Sequence, residues 1–275
     1  MSIRIPVLMY HEVVAGGQDQ LARSRTHADY ILPAEHFAEQ MRFLAEHGFH
    51  PLKASALARA VAAQETARLP RGAVVITFDD GFAGNYDQAL PILREFGMTA
   101  SFFVTVAQIG RPAMMSWGQL ERVAAAGMEI GSHLMHHVIM SELSRAEAFE
   151  ELSRSRSALQ EHLDQAVTVL SLPNGSYHRR YPELARESGY RGGFCSRLGY
   201  VGAASDPFLL ERVPVLATTS LVRFARLASG DTRILTGARV RRQAHALLNA
   251  LVGESTVNRW YQRLNRVSAP HDQEG

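Results

Sequence analysis

The run VVITFDDG, residues 74 to 81, drives an apolar strand straight into two adjacent carboxylates, Asp79 and Asp80, and a glycine. Carboxylates at the edge of a core are costly unless a cation or a shared proton offsets their charge. Further along, GSHLMHH sets His133, His136 and His137 close together. One carboxylate with two imidazoles makes an N/O donor set that suits zinc or a similar divalent ion and leaves positions open for water. His133 and His137 stand four apart, so one turn could aim both at a single ion. Spacing alone leaves His136 as an alternative to His137. Side chains alternate along a strand, so Asp79 and Asp80 should face different ways. Asp80 can then bind the ion while Asp79 takes a proton from water, and the chemistry expected is metal-assisted hydrolysis.

These groups need a scaffold that gathers them. IRIPVLMYH, FHPLKA, AVVITFDD, TASFFVTV, MEIGSH, VTVLSLP, YRGGFCS and ERVPVL read as strands. Helical patterns such as HFAEQMRFLAEHG, SALARAVAAQETA (with Ser55 as its N-cap), SWGQLERVAAAG and SRAEAFEELSRSRSALQEHL lie between them. Apolar strands alternating with helices predict a parallel sheet covered by helices, closed into a barrel. No G-x-G-x-x-G opens a helix, which argues against a dinucleotide-binding sheet. In such a barrel the reactive rim lies at the C-terminal ends of the strands. His11, the Asp79–Asp80 pair, His133 and the Pro173-Asn174-Gly175 turn all fall there. Each alone is ordinary, since Asp-Gly is a common turn and a strand-end histidine is commonly structural. Four strand ends supplying one rim is not.

With 275 residues, 46% of them hydrophobic and 20% charged, the chain can bury a large core. A net charge of +2, with Lys53 the sole lysine, gives no case for nucleic-acid binding. The single cysteine, Cys195, excludes an internal disulfide. Neither a secretory leader nor an apolar run long enough to span a membrane is visible, so a cytoplasmic chain is expected. The expected division is a barrel over 1–230 and an Arg-rich helical extension over 231–275. Arg23 and Arg25, in the loop of residues 12 to 30, are expected to shape the substrate site.

TFDDG within LPRGAVVITFDDGFAGNYDQALPILREFGMTASFFV, followed by H-x-x-x-H and a Pro-x-Gly-Ser-Tyr turn, resembles the polysaccharide deacetylases of carbohydrate esterase family 4, the NodB-homology domain. The resemblance runs from about residue 5 to residue 227. It implies an α/β fold, a distorted (β/α)7 TIM-like barrel, and removal of acetyl groups from a glycan or amino-sugar substrate. It also implies a bound divalent metal: zinc first, with Co, Ni or Fe compatible. Carried over, Asp79 is the catalytic base, and Asp80, His133 and His137 are the metal ligands. The backbone N–H of Asn174, with Tyr177 nearby, takes the oxyanion and substrate position. Three departures stand out. Leu134 replaces a Ser or Thr after the first histidine. Ser171 stands where the family carries the arginine that steadies the base, and Arg212 in ERVPV is the substitute expected here. No Leu-x-His acid follows Pro214. The N-terminal MYHEV resembles the exopolysaccharide and poly-N-acetylglucosamine deacetylase subset, whose motif order is permuted; there an early Tyr-His supplies the acid, here His11. Two other readings share the scaffold: a metal-dependent hydrolase of a small amide or imide, and a non-catalytic glycan-binding barrel.

Overall fold

The computed structural model describes residues 3–16, 28–175, 177 and 180–235. Arg23, Arg25 and the extension from 236 onward lie outside the described residues. Among the described residues ten strands run in chain order: β1 (Val7–Tyr10), β2 (Glu12–Val14), β3 (Ile31–Pro33), β4 (His50–Leu52), β5 (Ala73–Phe78), β6 (Ser101–Val104), β7 (Glu129–Ser132), β8 (Val169–Ser171), β9 (Gly192–Leu198) and β10 (Leu210–Pro214). Seven of them close into a parallel ring, β1-β10-β9-β8-β7-β6-β5, because β1 pairs with β5 as well as with β10. β4 is added alongside the first half of β5, from Ala73 to Val75. The ring is a (β/α)7 barrel, as expected. β2 and β3 form a separate parallel pair just past His11.

The helices are α1 (Ala34–Glu46), α2 (Ala54–Ala62), α3 (Leu90–Glu95), α4 (Trp117–Ala125), α5 (Arg145–Leu163), α6 (Tyr181–Glu187) and α7 (Leu221–Ala228). Capping boxes open two of them, Ser116 with Gln119 at α4 and Ser144 with Glu147 at α5. Each cap of this kind stabilises a helix by about 1 kcal/mol. Ser55 is not the N-cap expected of it, because α2 begins at Ala54 with Lys53 in the cap position. The sheet caps this helix instead: Ala54 N–H donates to Ser101 Oγ at 2.9 Å and Ser55 N–H to Glu129 Oε2 at 3.1 Å.

Every residue of β5 is buried, which suits a parallel strand covered on both faces. Val74, Ile76 and Phe78 join the larger apolar cluster with Leu44 of α1 and Leu93 of α3. Ala73 and Val75 join the smaller one with Phe103, Val169, Phe194 and Leu210, closed off by Leu57, Ala58 and Val61 of α2. The period of two therefore sets residues 73, 75, 77 and, next, 79 toward the barrel interior. The compact unit holding the barrel is Met1–Asp231, and a second unit comprises Thr232–Gly275. Among the described residues no helix is long and apolar enough to cross a membrane.

Candidate active site

Asp79 continues the inward parity of β5 one step past its end. It is 2% exposed, and its N–H is bound by Tyr10 O of β1 at 3.0 Å. Arg212, wholly buried on β10, grips it with both arms, Nη1 to Oδ1 and Nη2 to Oδ2, each at 2.7 Å. The remaining donors of the same guanidinium reach Ser171 Oγ at 2.7 Å, Thr77 Oγ1 at 3.4 Å and Cys195 O at 3.2 Å. All five N–H groups of an arginine are thus used, in the planar fork that suits a carboxylate. Burial alone would push the Asp79 carboxyl up; the charge of Arg212, joined by His133, outweighs it and holds the group below the usual carboxylate range.

Ser171 is the small residue at the position where an arginine was expected. Its hydroxyl accepts from Arg212 and donates to Asp79 Oδ2 at 3.3 Å. The space beside Asp79 is filled from β10 instead of from β8. Ser171 also accepts, through its carbonyl, the Nδ1 proton of His133 at 2.9 Å. That bond fixes the His133 tautomer and leaves the Nε2 lone pair facing outward.

Asp80 takes a left-handed backbone conformation, φ 72°, and so leaves the strand's alternation altogether. This turn, more than the pleat, sends the two carboxylates to different places. Its Oδ1 lies 3.4 Å from His133 Nε2 and 3.2 Å from His137 Nε2, yet it is buried with no hydrogen-bond partner. At least His133 Nε2 is an acceptor, so an acceptor faces an acceptor and only a proton or a cation can fill the gap. Two ligands about 2.0–2.1 Å from a tetrahedral ion would sit roughly 3.3 Å apart, the spacing seen. The donor set therefore fits a divalent ion held by Asp80, His133 and His137, whose ligand atoms all lie within 4.8 Å of one another. Burial pushes Asp80 up, but the His133 and His137 imidazoles outweigh it and keep the carboxylate ionised far below its ordinary range. The same contact raises His137 above 6.5.

His136 points elsewhere. Its Nδ1 meets Glu151 Oε1 of α5 at 2.5 Å, and Glu151 Oε2 accepts from Met135 N–H and His136 N–H, each at 3.0 Å. Glu151 thereby ties down the loop between the two histidines, in which Leu134 (φ 65°) and His137 (φ 58°) are both left-handed. Leu134 is fully buried and packs in the larger apolar cluster.

His11 follows β1 as Asp79 follows β5, and Tyr10 and Phe78 are register partners. The His11 ring lies 4.3 Å from that of Tyr30, and its Nδ1 is buried without a partner. Burial lowers its pKa from 6.5, against the pull of Asp79 and Asp80. Asn174 is exposed and left-handed (φ 54°) in the turn Pro173–Gly175 that follows β8. Tyr177 is 37% exposed, its ring 6.2 Å from that of Tyr181. Sequence reasoning did not single out Glu151 or Tyr30, and it noticed Ser171 only as a missing arginine. No residue-type signal marks the first two, because Glu151 binds backbone N–H groups and Tyr30 offers a ring face.

Residues 66–193 match the family model for polysaccharide deacetylase. The provisionally named polysaccharide deacetylase YxkH of Bacillus subtilis (strain 168) is 26% identical over 212 residues, covering 77% of this chain and 71% of that one. The poly-beta-1,6-N-acetyl-D-glucosamine N-deacetylase of Staphylococcus aureus (strain MRSA252) is 21% identical over 199 residues, covering 67% and 68%. Among solved structures, the Streptococcus pyogenes deacetylase PplD in complex with acetate superposes with a TM-score of 0.75 at 23% identity, covering 83% of this chain and 99% of that one. On its sequence and its barrel, the chain is similar to the polysaccharide deacetylases, whose family model matches residues 66–193.

Proposed function

We propose that this protein hydrolyses N-acetyl groups on a glycan of the poly-N-acetylglucosamine class, with a divalent cation, zinc first, held by Asp80, His133 and His137. The observation that carries the reading is the Asp80–His133–His137 donor set beside a carboxylate clamped by Arg212. The named activity of the staphylococcal relative supports the substrate class. Bound there, a divalent cation supplies Lewis acidity to a carbonyl oxygen and lowers the pKa of water.

The chain's own groups do the rest. Asp79 is the base: Arg212 occupies one lone pair on each carboxylate oxygen, and Oδ1 keeps another free for a proton. Water gives that proton to Asp79 and its oxygen bonds the acetyl carbon. The Asn174 N–H, at the end of β8, stabilises the oxyanion, and the exposed ring of Tyr177 offers a face to the sugar. As the C–N bond breaks, His11 delivers a proton to the nitrogen, and acetate departs from the free amine. The lowered pKa of His11 makes its imidazolium a stronger acid for this step.

Acetate release from β-1,6-linked N-acetylglucosamine oligomers, set against a panel of small amides and imides, tests the substrate. Hydrolysis of the small amides alone would overturn the glycan reading. Metal analysis separates the roles: Asp80→Ala and His133→Ala lose the ion, whereas Asp79→Asn keeps it and loses about 10²–10⁴-fold in turnover. His11→Ala slows the reaction with the ion retained. A fully active Asp79→Asn would refute the base.

A further inference from the structure

The acid reading above leaves a question: what holds His11 in place at the end of a four-residue strand? The geometry points to Asn85, in the FAGNY stretch that follows the aspartate pair, as the positioning residue for His11. Asn85 is fully buried, and both ends of its amide are used on one segment. Its Nδ2 donates to His11 O at 2.8 Å, and its Oδ1 accepts from Val13 N–H at 3.3 Å. The two bonds bracket the corner between β1 and β2, where the chain leaves the ring. A side-chain amide here does the work of a neighbouring strand, since the His11 carbonyl and Val13 N–H have passed the end of the β1–β5 ladder, whose last pair is Tyr10↔Phe78.

Two local features serve this contact. Asn85 opens a π-helical turn, Asn85–Ala89, before α3 continues with ordinary winding. Single π turns of this kind re-aim side chains and recur at functional sites. Gly84, just before it, lets the backbone pass so close that a Cβ would stand 2.2 Å from Val13 O. The segment after TFDDG is thus shaped to carry the His11 corner. Asn85 touches no reacting atom; it acts through His11, and the inference rests on His11 being the acid.

A double-variant cycle tests it. Asn85→Ala should lower kcat at least tenfold, in line with the cost of misplacing a catalytic group by about 1 Å. Apparent KM and metal content should stay within twofold. In a His11→Ala background the same change should cost less than twofold. Asn85→Asp, which keeps the volume and the acceptor for Val13 but loses the donor to His11, guards against a variant that fails to fold, and should show the same pattern. Both should shift the ring ¹H–¹⁵N signals of His11 in the metal-loaded protein. Multiplicative losses in the two backgrounds, or unmoved ring signals, overturn the positioning role. Wild-type turnover in His11→Ala would sink the acid assignment instead, while the ring signals still report whether Asn85 holds His11.

Discussion

The pairing of Asp79 with Arg212 decides how the rim tolerates a buried carboxylate. Breaking such a pair from one side leaves an uncompensated charge and costs about 3–5 kcal/mol. Arg212→Met should therefore lose that much stability at pH 7, read by denaturant titration, and Arg212→Met combined with Asp79→Leu should recover most of it. The sign of the pH dependence follows. Asp79's pKa is lowered in the folded state, so its ion pair contributes stability above the unfolded value, about 3.9, and loses it as pH falls through the folded value. In the variant the lone carboxylate favours its proton, so the gap between variant and wild type should shrink as pH drops toward 4. A constant gap across that range would show that lost packing, and not lost charge, is what the variant reports.

At the scale of elements, the loop between β7 and α5 is the part most exposed to a single change. Glu151 fastens it through three contacts, two of them to the backbone N–H groups of Met135 and His136 and one to the His136 ring. Outer partners of this kind typically account for 10–100-fold in metal affinity. Glu151→Ala should weaken cation binding by about that factor in a competition titration, with the barrel's far-UV signature intact; unchanged affinity would show that the loop holds its shape alone. The order of strands and helices was legible in the sequence because runs such as VVITF are apolar throughout and the patterns between them change period. The cluster of Asp80, His133 and His137 was legible because TFDDG and HLMHH place scarce residue types at strand ends. The left-handed turns at Asp80, Leu134 and His137 were not, since no glycine or asparagine marks them. Ser55 misled for a related reason. A serine before an apolar run suggests a cap, but here Ser101 and Glu129 from the sheet satisfy the helix's first N–H groups. Arg212 could be proposed from the resemblance, which calls for an arginine beside Asp79, yet its five-way bonding depends on Ser171 being small, a fact about space and not about pattern.

The whole molecule should register the cation as a gain in stability. A ligand at about 100 times its Kd adds about 2.7 kcal/mol to a fold that binds it only when native. For a chain of this size that is a rise in Tm of roughly 5–10 °C. The rise should diminish as pH falls through the raised pKa of His137, above 6.5, because the proton on that ring competes with the ion. The metal-free protein behaves oppositely. Its contact between His137 and Asp80 contributes stability below the unfolded histidine value, and this is lost as pH rises through the folded one. Melting curves with and without chelator across this range check both signs, and a Tm indifferent to zinc, cobalt and nickel would count against the site.

Asp79 and its counter-charge, Arg212, lie 133 positions apart along the chain. At roughly 5–20 residues per second, a ribosome needs on the order of ten seconds to reach Arg212 after making Asp79. Until then the nascent polypeptide has a carboxylate it cannot bury and a first strand, β1, still missing its β10 neighbour. The barrel's interior must therefore be completed late, after nearly all of it has been translated, and the emerging half-ring is the form that chaperones would meet.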